Sequence, residues 1–359
     1  MALFTPSASP AVTVKEIDLT GVVPNVQTST GAFVGNFGWG PVGVSTLVSD
    51  ESGLVSTFSA PTDDNSVDFH SAAYFLRYSN SLFVVRECDS DAKNAVGNHT
   101  SLGSLTAQKV NNLDAFEALS IDSSDGAFIA KYPGSLGNSI KVSICGSDSD
   151  NGGVTNFNSW THKDEFDGAP GTSQFVSDLN GKNDEIHVIV IDQDGLITGT
   201  PDTVLETFPF LSVAKNAKRS DGTSNYYRDV LKLQSDWVYA GRLHTGDSAS
   251  VSDFIGANWD TNSVKTGTTQ DFKSDFVFSS AQNDWSLDGG VTSSTLGTDD
   301  VLRGFDNFED KDNIEVDFLI APESLTDTTA ATIVNDLVST AASLRKDCVA
   351  VASPSRNAV

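Results

Sequence analysis

The sequence predicts a mixed α/β (α+β) protein: a discontinuous α/β core domain with a β-rich domain inserted into it, preceded by an extended N-terminal arm. Three observations predict this. Apolar residues recur at helical spacing beside short apolar strands near both ends of the 359-residue chain, whereas residues from about 110 to 299 are rich in Ser, Thr, Asp and Gly with short alternating runs. Before residue 22 there is alternation but no stretch that could close a core. The boundaries that follow are 1–22 for the arm, 23–109 with 300–359 for the α/β domain, and 110–299 for the insertion.

The arm carries the run Val12-Thr13-Val14-Lys15-Glu16-Ile17. Val12, Val14 and Ile17 define the apolar side of an edge strand, and no neighbouring hairpin signal supplies it with a partner. It pairs either within its own domain or with another subunit.

In the α/β domain, residues 32–37 form a strand, a Gly/Pro loop runs through Gly43, and residues 44–48 form a second apolar stretch. Ser66-Val67-Asp68 is an N-cap signal for a helix whose buried face is Phe69, Ala72, Ala73, Phe75 and Leu76. It stops at Ser79-Asn80, and residues 82–85 make a short buried strand. Late in the chain, Val301, Leu302, Phe305 and Phe308 mark an amphipathic helix, and Ile314, Val316, Phe318 and Ile320 alternate with Glu315 and Asp317 on a strand. A longer helix over 327–344 presents Ala330, Ile333, Val334, Leu337, Ala341 and Leu344, before the apolar run 348–352. Strand, helix, strand implies parallel pairing. In the insertion, residues 186–191 form an apolar strand closed by the turn Asp192-Gln193-Asp194-Gly195.

Composition excludes several functions. A net charge of −26, from 48 acidic against 22 basic residues, repels phosphate backbones and anionic lipid, so direct nucleic-acid binding is not expected. No run of eighteen apolar residues supports membrane insertion, and the first residues lack the basic and apolar regions of a signal peptide. Cys88, Cys145 and Cys348 form no CxxC pair and read as reduced thiols of a cytoplasmic product, which removes any glycosylation meaning from Asn98-His99-Thr100.

Candidate chemical motifs fail on their physics. Gly38-Trp39-Gly40-Pro41-Val42-Gly43 matches GxGxxG, but Pro41 removes a backbone donor where a pyrophosphate needs one, and the residues after it read as β. The string from Ser147-Asp148 to Gly152-Gly153 begins like a calcium loop, yet glycine stands where a ligand is needed and position twelve is Ser159. His70, His99, His162, His187 and His244 are scattered, and with 48 acidic residues carboxylate pairs have no diagnostic weight. Trp39, Trp160, Trp237, Trp259 and Trp285 are expected in packing rather than in a ligand cleft. No catalytic residue, cofactor or metal is predicted.

Several strings in fixed order carry a resemblance. They are residues 31–41, with the Trp39-Gly40-Pro41 loop; 56–62; Tyr74-Phe75-Leu76-Arg77-Tyr78 leading to Phe83-Val84-Val85-Arg86; the Tyr132-Pro133-Gly134 turn ending Gly137-Asn138; 206–213 with Ser224-Asn225-Tyr226-Tyr227; Leu287-Asp288-Gly289-Gly290; and 345–354. Taken together they resemble the contractile tail sheath proteins of T-even-type myophages. The resemblance implies a structural subunit of the virion tail, assembled in the host cytoplasm as stacked hexameric rings around a tail tube. It also implies contraction that drives the tube through the host envelope, with tube, baseplate and tail terminator proteins as partners. Only a short connection fits between Arg86 and Tyr132, where some large sheaths carry a protruding domain. The family's C-terminal, tube-facing domain has no counterpart before Val359, so a truncated fragment is expected. The alternative is another virion structural protein, such as a baseplate or adhesin component.

Overall fold

The computed structural model describes residues 29–97, 108–119, 126–147, 154–241, 283–293, 295–322 and 327–353. The arm residues Val12, Val14 and Ile17 lie outside the described residues, as do Trp259, His99, His244 and most of the calcium-like string.

The first part of the chain runs β1 (Gly31–Asn36), β2 (Ser45–Val48), α1 (Glu51–Phe58), α2 (Ser66–Leu76) and β3 (Leu82–Glu87). The middle holds β4 (Val96–Gly97), α3 (Leu113–Ala118), β5 (Phe128–Ala130), β6 (Ile140–Gly146), α4 (Val154–Ser159), α5 (Gln174–Asp178), β7 (Glu185–Asp192), β8 (Thr203–Ser212), α6 (Tyr227–Gln234), β9 (Val238–Ala240) and β10 (Asn283–Asp288). The last part is α7 (Thr298–Asp306), β11 (Phe318–Ile320), α8 (Asp327–Ser339) and β12 (Val349–Val351).

These strands form two sheets. One has five strands in the order β12-β11-β1-β3-β2, and the other has seven in the order β8-β7-β6-β10-β4-β5-β9. In the five-stranded sheet β1 is parallel to β3 and β11, β11 is parallel to β12, and only β2 runs antiparallel. The crossover helices place their apolar stripes on opposite faces, as parallel connections require. Phe33 joins Phe37, Phe58, Phe69, Leu82 and Val84 under α1 and α2. Its neighbours Ala32 and Val34 join Val301, Phe305, Phe308, Leu319, Ile333 and Leu337 under α7 and α8. A strand buried on both faces reads as the continuous apolar run seen in β1. Asp50 caps α1 by accepting from the Gly53 amide at 2.7 Å, and Asn112 caps α3 through Ala115 at 3.0 Å.

Three expectations need correction. Val96 and Gly97 belong to the seven-stranded sheet, so the chain leaves the first sheet well before residue 109. The predicted alternation from Ile314 to Ile320 gives a strand of only three residues, whose fully buried member is Leu319. Phe318 instead packs on Phe75 of α2, with ring centroids 6.5 Å apart, because this strand too has helices on both faces. The helical face that ends at Leu344 is broken by a π turn over Thr340–Arg345. One extra residue in that turn rotates the register, leaving Leu344 54% exposed and burying Arg345. The Arg345 guanidinium donates to Phe308 O at 2.7 Å and Ile314 O at 2.8 Å, and Asp347 accepts from its Nε at 3.0 Å. Lys346 then stops the helix at φ 65°.

Helix α7 approaches the sheet so closely that a Cβ on Gly304 would be driven into Val34 Cγ1. Gly304→Ala is therefore expected to cost about 1–3 kcal/mol by overpacking. Urea denaturation followed by tryptophan fluorescence reads this as a lower midpoint with an unchanged slope.

Candidate functional site at the seam between the sheets

The strings singled out in the sequence meet where the two sheets join. After β1 the chain turns through residues 37–43, with Gly40 at φ 101° and Gly43 at φ 73°. A Cβ at Gly40 would press on Phe58 Cδ1 at 2.7 Å and Thr57 O at 2.8 Å, so only glycine fits the bend. The bend sends Trp39 out of the first sheet into the core cluster of the second. There it stacks on Trp237 at 5.4 Å and meets Tyr132 edge-on at 5.5 Å.

Arg86, near the end of β3, is fully buried beside this loop. Its Nε donates to Phe37 O at 2.8 Å, Nη1 to Gly40 O at 2.7 Å and Nη2 to Pro133 O at 2.6 Å. Burial pulls its pKa down to about 10, against the opposing fields of Cys88, Tyr132 and Glu87, so the group stays charged at neutral pH. One planar guanidinium thus ties the loop after β1 to the turn after β5. The adjacent Glu87 is also buried; its Oε2 pairs with Arg303 of α7 at 2.7 Å, while Oε1 has no hydrogen-bond partner. Burial pushes the Glu87 carboxyl above the ordinary range despite Arg303.

The turn after β5 closes the seam. Gly134 sits at φ 149°, and a Cβ there would lie 2.7 Å from Gly38 O. Asn138 grips the other glycine turn with both ends of its amide: Oδ1 accepts from Gly290 N at 2.7 Å, and Nδ2 donates to Gly290 O at 3.0 Å. Nearby, Asn36 Nδ2 donates to Ser293 O at 2.8 Å. Two grooves flank the seam. One, of about 330 Å³, is lined by Pro41, Lys131, Tyr132 and Tyr239, and the other, of about 310 Å³, by Gly38, Pro61, Ser135 and Thr292.

This arrangement holds backbones together; it presents no nucleophile beside a base. The GxGxxG string is a packing loop, with Val42 bridged to Arg86 and no helix opening after it. His187 is enclosed between Phe166, stacked at 4.5 Å, and Phe210. Its Nε2 lies 2.7 Å from Gly168 O, and its Nδ1 accepts from Phe210 N at 3.1 Å, which fixes a neutral ring with the proton on Nε2. His70 is exposed on α2. The Asp184 carboxylate accepts from the Ser173 and Ser212 hydroxyls, and among the described residues no histidine donates to it. Among the described residues, no group of three or more His, Cys, Asp or Glu side chains could hold a metal ion. Trp39, Trp160 and Trp285 are buried and Trp237 is half-buried, each within a core cluster. Sequence reasoning missed Arg86, Asn138 and Trp237 as the parts of one junction; the available signal was an arginine closing an otherwise apolar strand.

Replacing Arg86 by alanine leaves three buried carbonyls without a donor and is expected to cost about 3–5 kcal/mol. Arg86→Lys should recover only part of this, since an ammonium cannot span all three acceptors. Equilibrium denaturation of the two variants measures the difference. Burial also lowers the His187 pKa, so above its unfolded value, roughly 6.5, both states are neutral and stability is fully present. Below it the unfolded chain takes up a proton that the fold refuses, and stability falls with pH. His187→Gln should flatten the dependence of unfolding free energy on pH between roughly 6.5 and 5.

No family model matches the chain. The tail sheath protein of Salmonella phage ViI is 32% identical over 237 residues, which is 66% of this chain and 34% of that protein. The tail sheath protein of Enterobacteria phage T4 is 43% identical over 88 residues, 24% of this chain and 13% of its own length. A sheath tail protein of Listeria innocua covers 90% of this chain and 47% of its own at 11% identity, with a TM-score of 0.43. The chain spans about a third of the length of the Salmonella phage relative. Over the matched residues, the chain is thus similar in sequence to the tail sheath proteins of three phages.

Proposed function

We propose that the chain acts as a structural, non-enzymatic subunit of a contractile tail sheath. Copies stack as hexameric rings around a tail tube, bounded by baseplate and tail terminator proteins. The assembly belongs to the virion tail, is put together in the host cytoplasm, and contracts to drive the tube through the host envelope. The observation that carries this reading is the sequence kinship to proteins named tail sheath protein from three phages. The seam supports it physically: a contracting polymer needs subunits that move as rigid pieces while their contacts exchange. The Arg86 clamp and the Trp39 plug make the two sheets one such piece.

A division into an arm over 1–22, an α/β part that includes residues 300–359, and an inserted β-rich part that begins before Val96 rather than at residue 110 belongs to the same proposal. Val12, Val14 and Ile17 of the arm add as a strand to a neighbouring subunit's sheet, joining copies while the rest of their contacts change. Deleting residues 1–20 from the intact gene product should leave a folded monomer by circular dichroism and abolish sleeves in negative-stain micrographs. Sleeves of normal length after that deletion would refute the role of the arm.

A further inference from the structure

The helices leave one face of the five-stranded sheet unfinished. On the α2 side, residues of β1, β11 and β12 line up in rows, Gly31 with Phe318 and Val349, and Phe33 with Ile320 and Val351. Phe33 and Ile320 belong to the cluster under α1 and α2, and Phe318 packs on Phe75. The rows run on past the helices: Val349 is 59% and Val351 45% exposed, while Ala350 between them packs with the cluster under α7 and α8. β12 is also an edge strand. Val349 N and Val351 O are spent on β11, bonded to Asp317 O and Ala321 N, so the alternation of a parallel ladder turns the N–H and C=O of Ala350 to the open side. An apolar face joined to an open edge is a surface that one further strand completes.

We infer that in the free subunit this strand is the arm of the same copy, residues 12–17, laid antiparallel along β12. The described chain begins beside the gap. Ser29 O accepts from Ser79 Oγ at the end of α2, and the Thr30 amide donates to Asp317 Oδ2 at 2.8 Å, at the end of the sheet where β11 and β12 start. A strand beyond β12 lies three spacings from β1, about 14 Å, whereas the chain from Ile17 to Ser29 spans up to about 40 Å, so the tether reaches. The antiparallel direction brings Ile17 to the same end as Thr30, and the link has only to cross beneath β11 and β12. Val12 and Val14 alternate with Thr13 and Lys15 as Val349 and Val351 alternate, which extends both rows by one strand. The residues after β12, Pro354-Ser355-Arg356-Asn357, open on a proline and have no such alternation. A tether this short holds the arm at an effective concentration on the order of millimolar, so its own edge outcompetes that of another copy in dilute solution. Closing the edge in this way keeps free subunits from pairing through it. Exchange of the arm onto the next copy then makes the same contact between subunits, as in domain swapping. Only that exchange step rests on the sheath reading above.

The test uses the intact gene product in a Cys348→Ser background, Cys88 and Cys145 being buried. In dilute monomer with an added oxidant, Val14→Cys with Val349→Cys, and Val12→Cys with Val351→Cys, should each give a faster-migrating band of monomer mass on a non-reducing gel, at a rate independent of protein concentration. Val12→Cys with Tyr78→Cys puts the second thiol at a 94% exposed site near the same exit but off the edge, and should react several-fold more slowly. Deleting residues 1–20 should raise several-fold the rate at which a maleimide labels Val351→Cys. Cross-linking no faster than in the Tyr78 pair, dimers that grow with concentration, or an unchanged labelling rate would overturn the contact and leave the sheath reading intact, since each is read in monomer. In sleeves the same pairs should give a ladder of covalent multimers; monomer bands alone would refute the exchange. If monomers cross-link as expected but the unsubstituted product forms no sleeves, the sheath reading fails and the contact within one copy stands.

Discussion

The fold depends on one buried cation that spends its hydrogen bonds on backbone carbonyls. Two sheets meet through irregular segments, the loop after β1 and the turn after β5, and such segments have carbonyls without ladder partners. Water is excluded there, so each unmet acceptor costs about 1–3 kcal/mol. Arg86 meets three of them at once because its donors are fixed in a planar fork. An apolar side chain of equal volume would fill the space and leave the carbonyls unmet. Arg345 solves the same problem at the far end of the first sheet, where the segments around Phe308 and Ile314 come together. The fold uses guanidinium groups where other proteins use ordered water.

Much of the first sheet was legible because its signals are local. The apolar spacing of Phe69, Ala72, Ala73 and Leu76 is written within eleven residues and all four are buried, although Asn65 rather than Ser66 takes the cap position and Phe75, expected on the same face, is only half-buried. The parallel pairing of β11 with β12 follows from a strand, helix, strand order alone. What the sequence concealed depends on partners distant along the chain. Nothing near Leu344 announces a π turn, since its geometry is set by the acceptors that capture Arg345. Alternation from Ile314 to Ile320 suggested one buried face, but α2 and α7 cover both, so Leu319 and Phe318 are each packed. The seam was legible only as separate strings: glycines, a tryptophan and an asparagine, each ambiguous until their meeting in space explains all of them.

The discarded chemical motifs have physical roles of their own. Glycines that could have cradled a phosphate let backbones cross within van der Waals distance, as Gly134 does over Gly38. A histidine that could have been a base is a spacer between aromatic rings, its two nitrogens committed to Gly168 and Phe210. Residues of these types suit a part whose task is to hold its shape.

The strand order has a consequence for synthesis. β1 is a central strand, and one of its two edges is filled by β11, 287 residues further along: the Thr30 amide reaches Asp317 across that gap. The second sheet is likewise keyed by a late arrival, since β10 is the strand that joins β6 to β4. Until residue 288 has left the ribosome neither sheet is complete, and until residue 318 one edge of β1 stays open. Open edges on partly made chains invite pairing with other chains. Because β10, β11 and β12 are the strands that seal both sheets, a copy becomes inert toward strand exchange only after residue 351 has emerged, and orderly association belongs to chains grown past that point.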